Sequence, residues 1–402
     1  MNLKNDKKHF FICSLIQSFI FIPFFIQGYI GSDWDSYALI GTVNNYIKDS
    51  VYLPSRPPGF PIYELFLSFL FKVSSIFNLQ FEKFFLIFQF LILISNNLLI
   101  FKFFERENSS KFIYFYIIAL SPVYMISGLS IIDYHAGLFF GLLAIYLSFY
   151  QPNPILIVPF LLAISNGIRL SNLIFSIAVF GLFFYRKKLK KETAILIALT
   201  SFFTSVIYGI AYFSLWSITL STSMKVPSDM VCIFNLTNTD HSTIYRLGRF
   251  FLKQIDFFGI VGFVITLYLI FVILSSINLR KNIHFIILFF LFQLSFLRLP
   301  TEEGHLLPAF VALILLMKEV EIKNNLILLV LISTLASNFL YLNIYDVDSP
   351  DSASEAYLNI SIKEGLLIQD FNERKAKGLD KDFHYANGYK SIKDVWKNGC
   401  PN

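Results

Sequence analysis

The sequence predicts an all-α polytopic membrane protein of about eleven transmembrane helices, with one further helix lying in the membrane interface within the first outer loop. Three observations carry this. Only 15% of the 402 residues are charged, against roughly 25% in a soluble domain. Hydrophobic residues make up 55% and mean hydropathy is +0.62. Apolar runs of about 17 to 25 residues, enough to cross a ~30 Å hydrocarbon core, recur between residues 9 and 342.

The first run, Phe10 to Tyr29, follows Lys4, Lys7 and Lys8 and has no small-residue cleavage site. It reads as an uncleaved first helix with its N-terminus in the cytoplasm. A polar island comes next, acidic over Gly31-Ser-Asp-Trp-Asp-Ser and then proline-rich over Arg56-Pro-Pro-Gly-Phe-Pro. Residues 60–77 carry Glu64, Ser68, Lys72 and Ser75 at i, i+4, i+8 and i+11. A single polar stripe on an apolar helix suits the membrane interface, whereas a span would place two charges in lipid at a few kcal/mol each.

With 60–77 kept out of the count, the spans alternate as 84–101 inward, 112–129 outward, 134–150 inward, a short hairpin at 155–166 and 170–185, and 193–218 outward. They continue with 257–278 inward, 283–299 outward, 305–317 inward and 325–342 outward. Every short basic linker, from Lys102 to Lys323, then falls in the cytoplasm, as the positive-inside rule asks. The formal net charge of +6 is therefore topological and points to no nucleic acid partner. This division gives a bundle over 1–342, with outer loops at 30–83 and 219–256, and a small extracytoplasmic tail over 343–402. The compartment expected is the plasma (inner) membrane. Of the three cysteines, Cys13 falls in the first span, and Cys232 and Cys400 are expected as free thiols because nothing in their spacing demands a bridge.

The topology collects the chemistry on the outer face. Asp33 and Asp35 form a DxD-like pair that could share a divalent cation (Mg or Mn) or supply a general base. Arg56, in a segment whose prolines forbid a helix interior, could grip a phosphate. Asp133 opens a helix together with His135, where capping is the ordinary role. Arg169 sits in the hairpin turn, and Arg298, Glu303 and His305 cluster at a proline-bounded outer turn, where Arg298 and His305 could donate to an anionic leaving group.

As an ordered set over about residues 10 to 320, these motifs resemble the GT-C superfamily of integral-membrane glycosyltransferases, especially its protein-mannosyltransferase and aminoarabinose-transferase branch. The resemblance rests on Asp33 and Asp35 after the first helix, Arg56-Pro-Pro-Gly-Phe-Pro-Ile, Asp133, and Glu303-Gly-His-Leu-Leu-Pro-Ala-Phe. Gly304 stands where that family often has Arg, and His305 where it often has an aromatic residue. The resemblance implies a GT-C-like fold and a sugar donor on polyprenyl phosphate, drawn from the membrane lipids along the interfacial helix. It also implies an inverting transfer to a glycolipid, glycan or protein acceptor. Asp33 would be the base, with Asp35 as the alternative and Asp133 as a second acid. Arg56, Arg169, Arg298 and His305 would neutralise the departing phosphate, with Glu303 beside them. Two other readings remain open at this level: a flippase for a lipid-linked sugar, and a polysaccharide polymerase or ligase using Lys225, His241, Arg246 and Arg249.

Overall fold

The computed structural model describes residues 3–49, 52, 54–55, 59–104, 111–150, 154–186, 188–222, 243–298, 303–320, 322–345 and 358–380. Helix α1 (Leu3–Gln27) is apolar on all sides and stops at Gly28, whose φ of +74° places it in the left-handed region that favours glycine. The acidic island that follows is itself helical, which its loop-like composition conceals. Asp33 caps α2 (Trp34–Asp49), its Oδ1 accepting the Asp35 N–H at 3.0 Å. Tyr37, Leu39, Ile40 and Val43 are buried in a core cluster or beside it, and tertiary packing holds the helix.

Helix α3 (Pro61–Ile76) begins with proline at its first position, where a missing N–H costs nothing. Its polar stripe does not face water as a unit. Glu64 and Ser68 are buried, Lys72 and Ser75 are exposed, and the outward residues are Leu65, Phe69 and Ile76. Glu64 turns inward because it ties down the chain that precedes it. Its carboxyl accepts the N–H of Ser55 at 2.7 Å, the N–H of Phe60 at 3.1 Å and the Tyr52 hydroxyl. Glu64→Ala would orphan all three donors, at ~1–3 kcal/mol for each buried unsatisfied group. Faster proteolysis between residues 52 and 60 in the variant checks this, and an unchanged cleavage rate would contradict it.

Among the described residues, five helices are long and apolar enough to cross a membrane: Lys7–Gln27, Phe81–Phe104, Lys190–Ala211, Leu247–Ser276 and Leu279–Arg298. They belong to α1, α4 (Phe81–Phe104), α10 (Lys190–Thr222), α11 (Thr243–Ser276) and α12 (Leu279–Arg298). The expected span at 112–129 is broken. Ser121 is extended ahead of Pro122, as proline requires, and divides the run into α5 (Phe112–Ala119) and α6 (Pro122–Gly128).

Side-chain pairs fix the relative directions of the helices. Asn97 bonds Gln17 and Phe21 stacks on Phe90, so α1 and α4 are antiparallel. Ser165 donates to the Gly137 carbonyl, so α8 (Ile157–Ile168) ends where α7 (Tyr134–Tyr150) begins. The chain then reverses. Gly137 abuts Asn172 and Gly141 abuts Phe175, which makes α9 (Leu173–Gly181) parallel to α7. The hairpin expected at 155–185 is present, with extended Arg169 at its turn.

Further along, Gln254 pairs with Gln293, and Phe250 lies beside Phe296, so α11 and α12 run in opposite directions. Helix α11 bends at Gly259 (φ +67°), where a Cβ would come within 2.6 Å of Ser333 Oγ on α14 (Asn324–Ala336). One end of the bundle is basic. There Lys111 donates to the Lys318 carbonyl at the end of α13 (Leu307–Lys318), Lys318 to Phe103, Arg280 to Tyr185, and Lys281 pairs with Glu319.

The described part of the tail forms a small cap. Strands β1 (Leu340–Tyr345) and β2 (Leu358–Glu364) form an antiparallel hairpin, followed by α15 (Leu366–Leu379). The described molecule is thus a helical bundle with a small mixed cap at the end opposite the basic residues.

Candidate functional site

At the capped end lies a cleft of about 440 Å³. The link between α1 and α2 contributes Ser32 and Asp33 to its walls, and α6, the turn after it and the start of α7 contribute Ser127, Ser130 and Tyr134. Opposite these, α11 places Arg249, Lys253 and Asp256, and the turn before α13 places Glu303. The cap closes the circle with Tyr341, Lys363, Gln369, Asp370 and Glu373. Carboxylates and cations therefore share the lining of a space large enough for a sugar phosphate headgroup.

The floor is an ionic knot. Lys253 Nζ contacts the Glu303 carboxylate and lies 3.7 Å from Asp256 Oδ2, while the Tyr341 hydroxyl donates to Asp256 Oδ1 at 2.6 Å. Burial alone would raise Glu303, but the Lys253 ammonium and its hydrogen bond hold the carboxyl below the usual carboxylate range. A depressed carboxyl contributes stability above its unfolded value of about 4.3, and that contribution is lost as pH falls through the folded value. The melting temperature of the native protein should therefore exceed that of Glu303→Gln near neutral pH, and the two should converge on acidification. A pH-independent gap would overturn this.

Beneath Tyr134 a second charged pair is consumed by its own geometry. Arg169 Nε lies 2.6 Å from Asp133 Oδ2, and Nη2 lies 2.8 Å from Oδ1, a bidentate pair with both side chains buried. The guanidinium carbon sits 4.2 Å from the Tyr134 ring centroid and 5.1 Å from that of Phe60. The remaining nitrogen, Nη1, is 3.0 Å from His305 Nδ1. Since a guanidinium only donates, His305 accepts there with an unprotonated nitrogen. Gly304 completes the layer: a Cβ at that position would lie 2.2 Å from the Tyr134 ring. A larger side chain at 304 would have to displace the Tyr134 ring.

The residues singled out in the sequence thus separate. Asp33 and Glu303 line the cleft, and Asp35, in the first turn of α2, is not among its lining residues. Asp133, Arg169 and His305 form the layer below, so Asp133 is engaged by Arg169 and neither Arg169 nor His305 lines the main cleft. Arg298 is exposed at the end of α12 and is also not in the lining. Arg56, Cys232, Cys400, Lys225, His241 and most of the outer loop 219–256 lie outside the described residues. Cys13 is a buried free thiol.

The sequence reading missed Lys253, Asp256, Lys363, Asp370 and Glu373. Lys253 and Asp256, at i and i+3 on the opening turns of an apolar run, were a visible signal. The tail residues gave only the i, i+4 pair Asp370 and Arg374, which marks a helix and says nothing of where it docks. Among the described residues no three His, Cys, Asp or Glu side chains gather to hold an ion, and no step below runs through a metal. No family model, curated protein or solved structure matches the chain.

Proposed function

We propose that this chain is an integral-membrane glycosyltransferase of GT-C type, moving a sugar from a polyprenyl-phosphate donor to a glycolipid, glycan or protein acceptor. The observation that carries the reading is Asp33, a carboxylate on the wall of a polar cleft whose facing wall bears Arg249 and Lys253, with Lys363 beside them. Basic linker residues gather at the opposite end of the bundle, which supports a cytoplasmic N-terminus and an extracytoplasmic cleft under the positive-inside rule. The reading includes eleven crossings in a plasma membrane, the shorter helices spanning with the five long ones.

In the proposed reaction Asp33 takes the proton of the acceptor hydroxyl. The acceptor oxygen bonds to the anomeric carbon from the face opposite the phosphate, the bond from that carbon to the phosphate oxygen breaks, and the electron pair leaves with the polyprenyl phosphate. Configuration inverts. Arg249, Lys253 and Lys363 stabilise negative charge as it develops, in place of Arg169, Arg298 and His305, which do not line the cleft, and alongside Arg56.

Mass spectrometry of glycolipids and glycans from a strain lacking the chain tests this. One glycosylated species should disappear while its unglycosylated acceptor accumulates, and solubilised protein should restore the bond in a membrane extract. An unchanged profile would overturn the reading. Restoration that requires sealed vesicles would favour a lipid-linked sugar transporter instead.

A further inference from the structure

The β1–β2 hairpin is inside out. In an antiparallel pair, directly opposed residues share a face, and a hairpin packed on a protein in water normally turns apolar residues inward and polar ones outward. Here Tyr341 pairs with Lys363, and both line the aqueous cleft. Leu342 pairs with Ile362 on the other face, where they are 40% and 69% exposed. Leu340 shares that outer face at 59% exposure, and Phe339, just before the strand, is 63% exposed. Tyr341 and Lys363 point in, while Leu340, Leu342 and Ile362 point out, with Glu364, the partner of Leu340, the one charge among them at the end of the strand.

The outer face also continues a surface already described. Leu328 and Ile332 are exposed one turn apart on α14, and Phe339 follows Ile332 by seven residues, about two helical turns. Alongside, Val261, Val264, Tyr268 and Phe271 form the exposed face of α11, a helix long and apolar enough to span. Gly259 and Gly262 seat α11 against Ser333 of α14, and the Tyr341 hydroxyl ties β1 to Asp256 of α11. The exposed apolar faces of α11 and α14 thus lead onto the outer face of the hairpin, where Glu364 alone is charged.

We propose that the outer face of the hairpin, Phe339, Leu340, Leu342 and Ile362, rests in the outer leaflet of the membrane that holds the bundle. A two-stranded hairpin has open edges whose backbone groups cannot be left unpaired in hydrocarbon. Its level is therefore the interface between headgroups and acyl chains, where apolar side chains dip and backbone stays wet. One hairpin then separates lipid from the cleft, with Lys363 and Tyr341 on its inner side. A lipid-borne substrate would reach the cleft by crossing two strands. This inference rests on the membrane reading and not on sugar transfer.

Nitroxide labels at Ile362→Cys and Leu342→Cys test it, in the full chain with Cys232 and Cys400 replaced by serine and buried Cys13 retained. The protein is reconstituted in vesicles of phosphatidylethanolamine and phosphatidylglycerol. Collision rates are measured with oxygen, which partitions into lipid, and with a water-soluble nickel chelate. Labels at Ile332→Cys on α14 and at exposed Lys375→Cys on α15 supply the lipid and water references. The oxygen-to-nickel ratio at 342 and 362 should match that at 332 and exceed that at 375 several-fold. Ratios equal to that at 375 would overturn the proposal. So would exclusion of both reagents together with a dimeric mass, which would mean that a second copy covers the face. Neither outcome depends on transfer activity, so failure here and failure of the glycosyltransferase reading are separable.

Discussion

Arg374→Ala is expected to destabilise the folded protein by about 3–5 kcal/mol, the range for removing one partner of a buried ion pair. Arg374 is fully buried, although it lies on an otherwise charged tail helix. Its Nε donates to Asp370 at 2.8 Å, Nη1 to the Leu129 carbonyl at 2.7 Å, and Nη2 to Ser130 Oγ at 2.6 Å and the Ile126 carbonyl at 3.3 Å. The carbonyls belong to the C-terminal end of α6, where a cation also meets the negative end of the helix dipole. Alanine would leave Asp370 without its buried countercharge and take the side-chain donor from the Leu129 carbonyl. Lysine at 374 should recover only part of the loss, because one ammonium cannot reproduce the planar fork. Thermal unfolding in detergent, with limited proteolysis of the tail, reads both effects. A midpoint unchanged in the alanine variant would refute the claim that this residue docks the cap.

That docking reaches the candidate base. Ser32 donates to Asp370 Oδ1 at 2.6 Å, and Lys377 donates to the Ser32 carbonyl. Gly378 packs directly on the Tyr29 ring, so close that a Cβ would lie 2.1 Å from it. The segment that presents Asp33 is therefore gripped from the tail, more than 300 residues downstream. No local pattern announces such a contact.

What could be read from the sequence follows the range of the forces involved. Membrane class follows from composition, and the alternation of directions follows from short basic linkers, because both are local properties of the chain. Helix α2 was hidden because Gly41, Thr42, Asn44 and Asn45 have weak helix propensity, and burial of Tyr37 and Val43 overrides it. The periodicity of Glu64, Ser68, Lys72 and Ser75 placed them on one side of a helix but could not say what each abuts. Three donors in the chain before α3 decide that, and they draw Glu64 inward. Asp133 and Arg169 stood out as charges near an outer boundary, but their pairing spans 36 residues and exists only once α7 and α8 have packed. Asp33 was found because its spacing after the first helix is local. Of its cationic counterparts, Arg249 stood out only under the polymerase or ligase reading, and Lys253 and Lys363 were missed because the cleft assembles from distant segments.

The two aspartates that the sequence treated alike should then part under the same substitution. Asp33→Asn is expected to lower transfer by ~10²–10⁴-fold, the contribution of a positioned general base. Stability should hardly move, because asparagine caps a helix about as well as aspartate, and the cap to Asp35 survives. Asp133→Asn should do the reverse. It leaves Arg169 with a neutral partner at 1% exposure, at a cost approaching the ~3–5 kcal/mol of a broken buried pair, and any loss of transfer should track the loss of folded protein. Asp35→Asn, off the cleft wall, should retain activity. Transfer is scored by restoration of the missing glycan in the deletion strain, and folding by the detergent melting midpoint. Full restoration by Asp33→Asn would remove the proposed base, and an inactive but fully stable Asp133→Asn would return Asp133 to the chemistry.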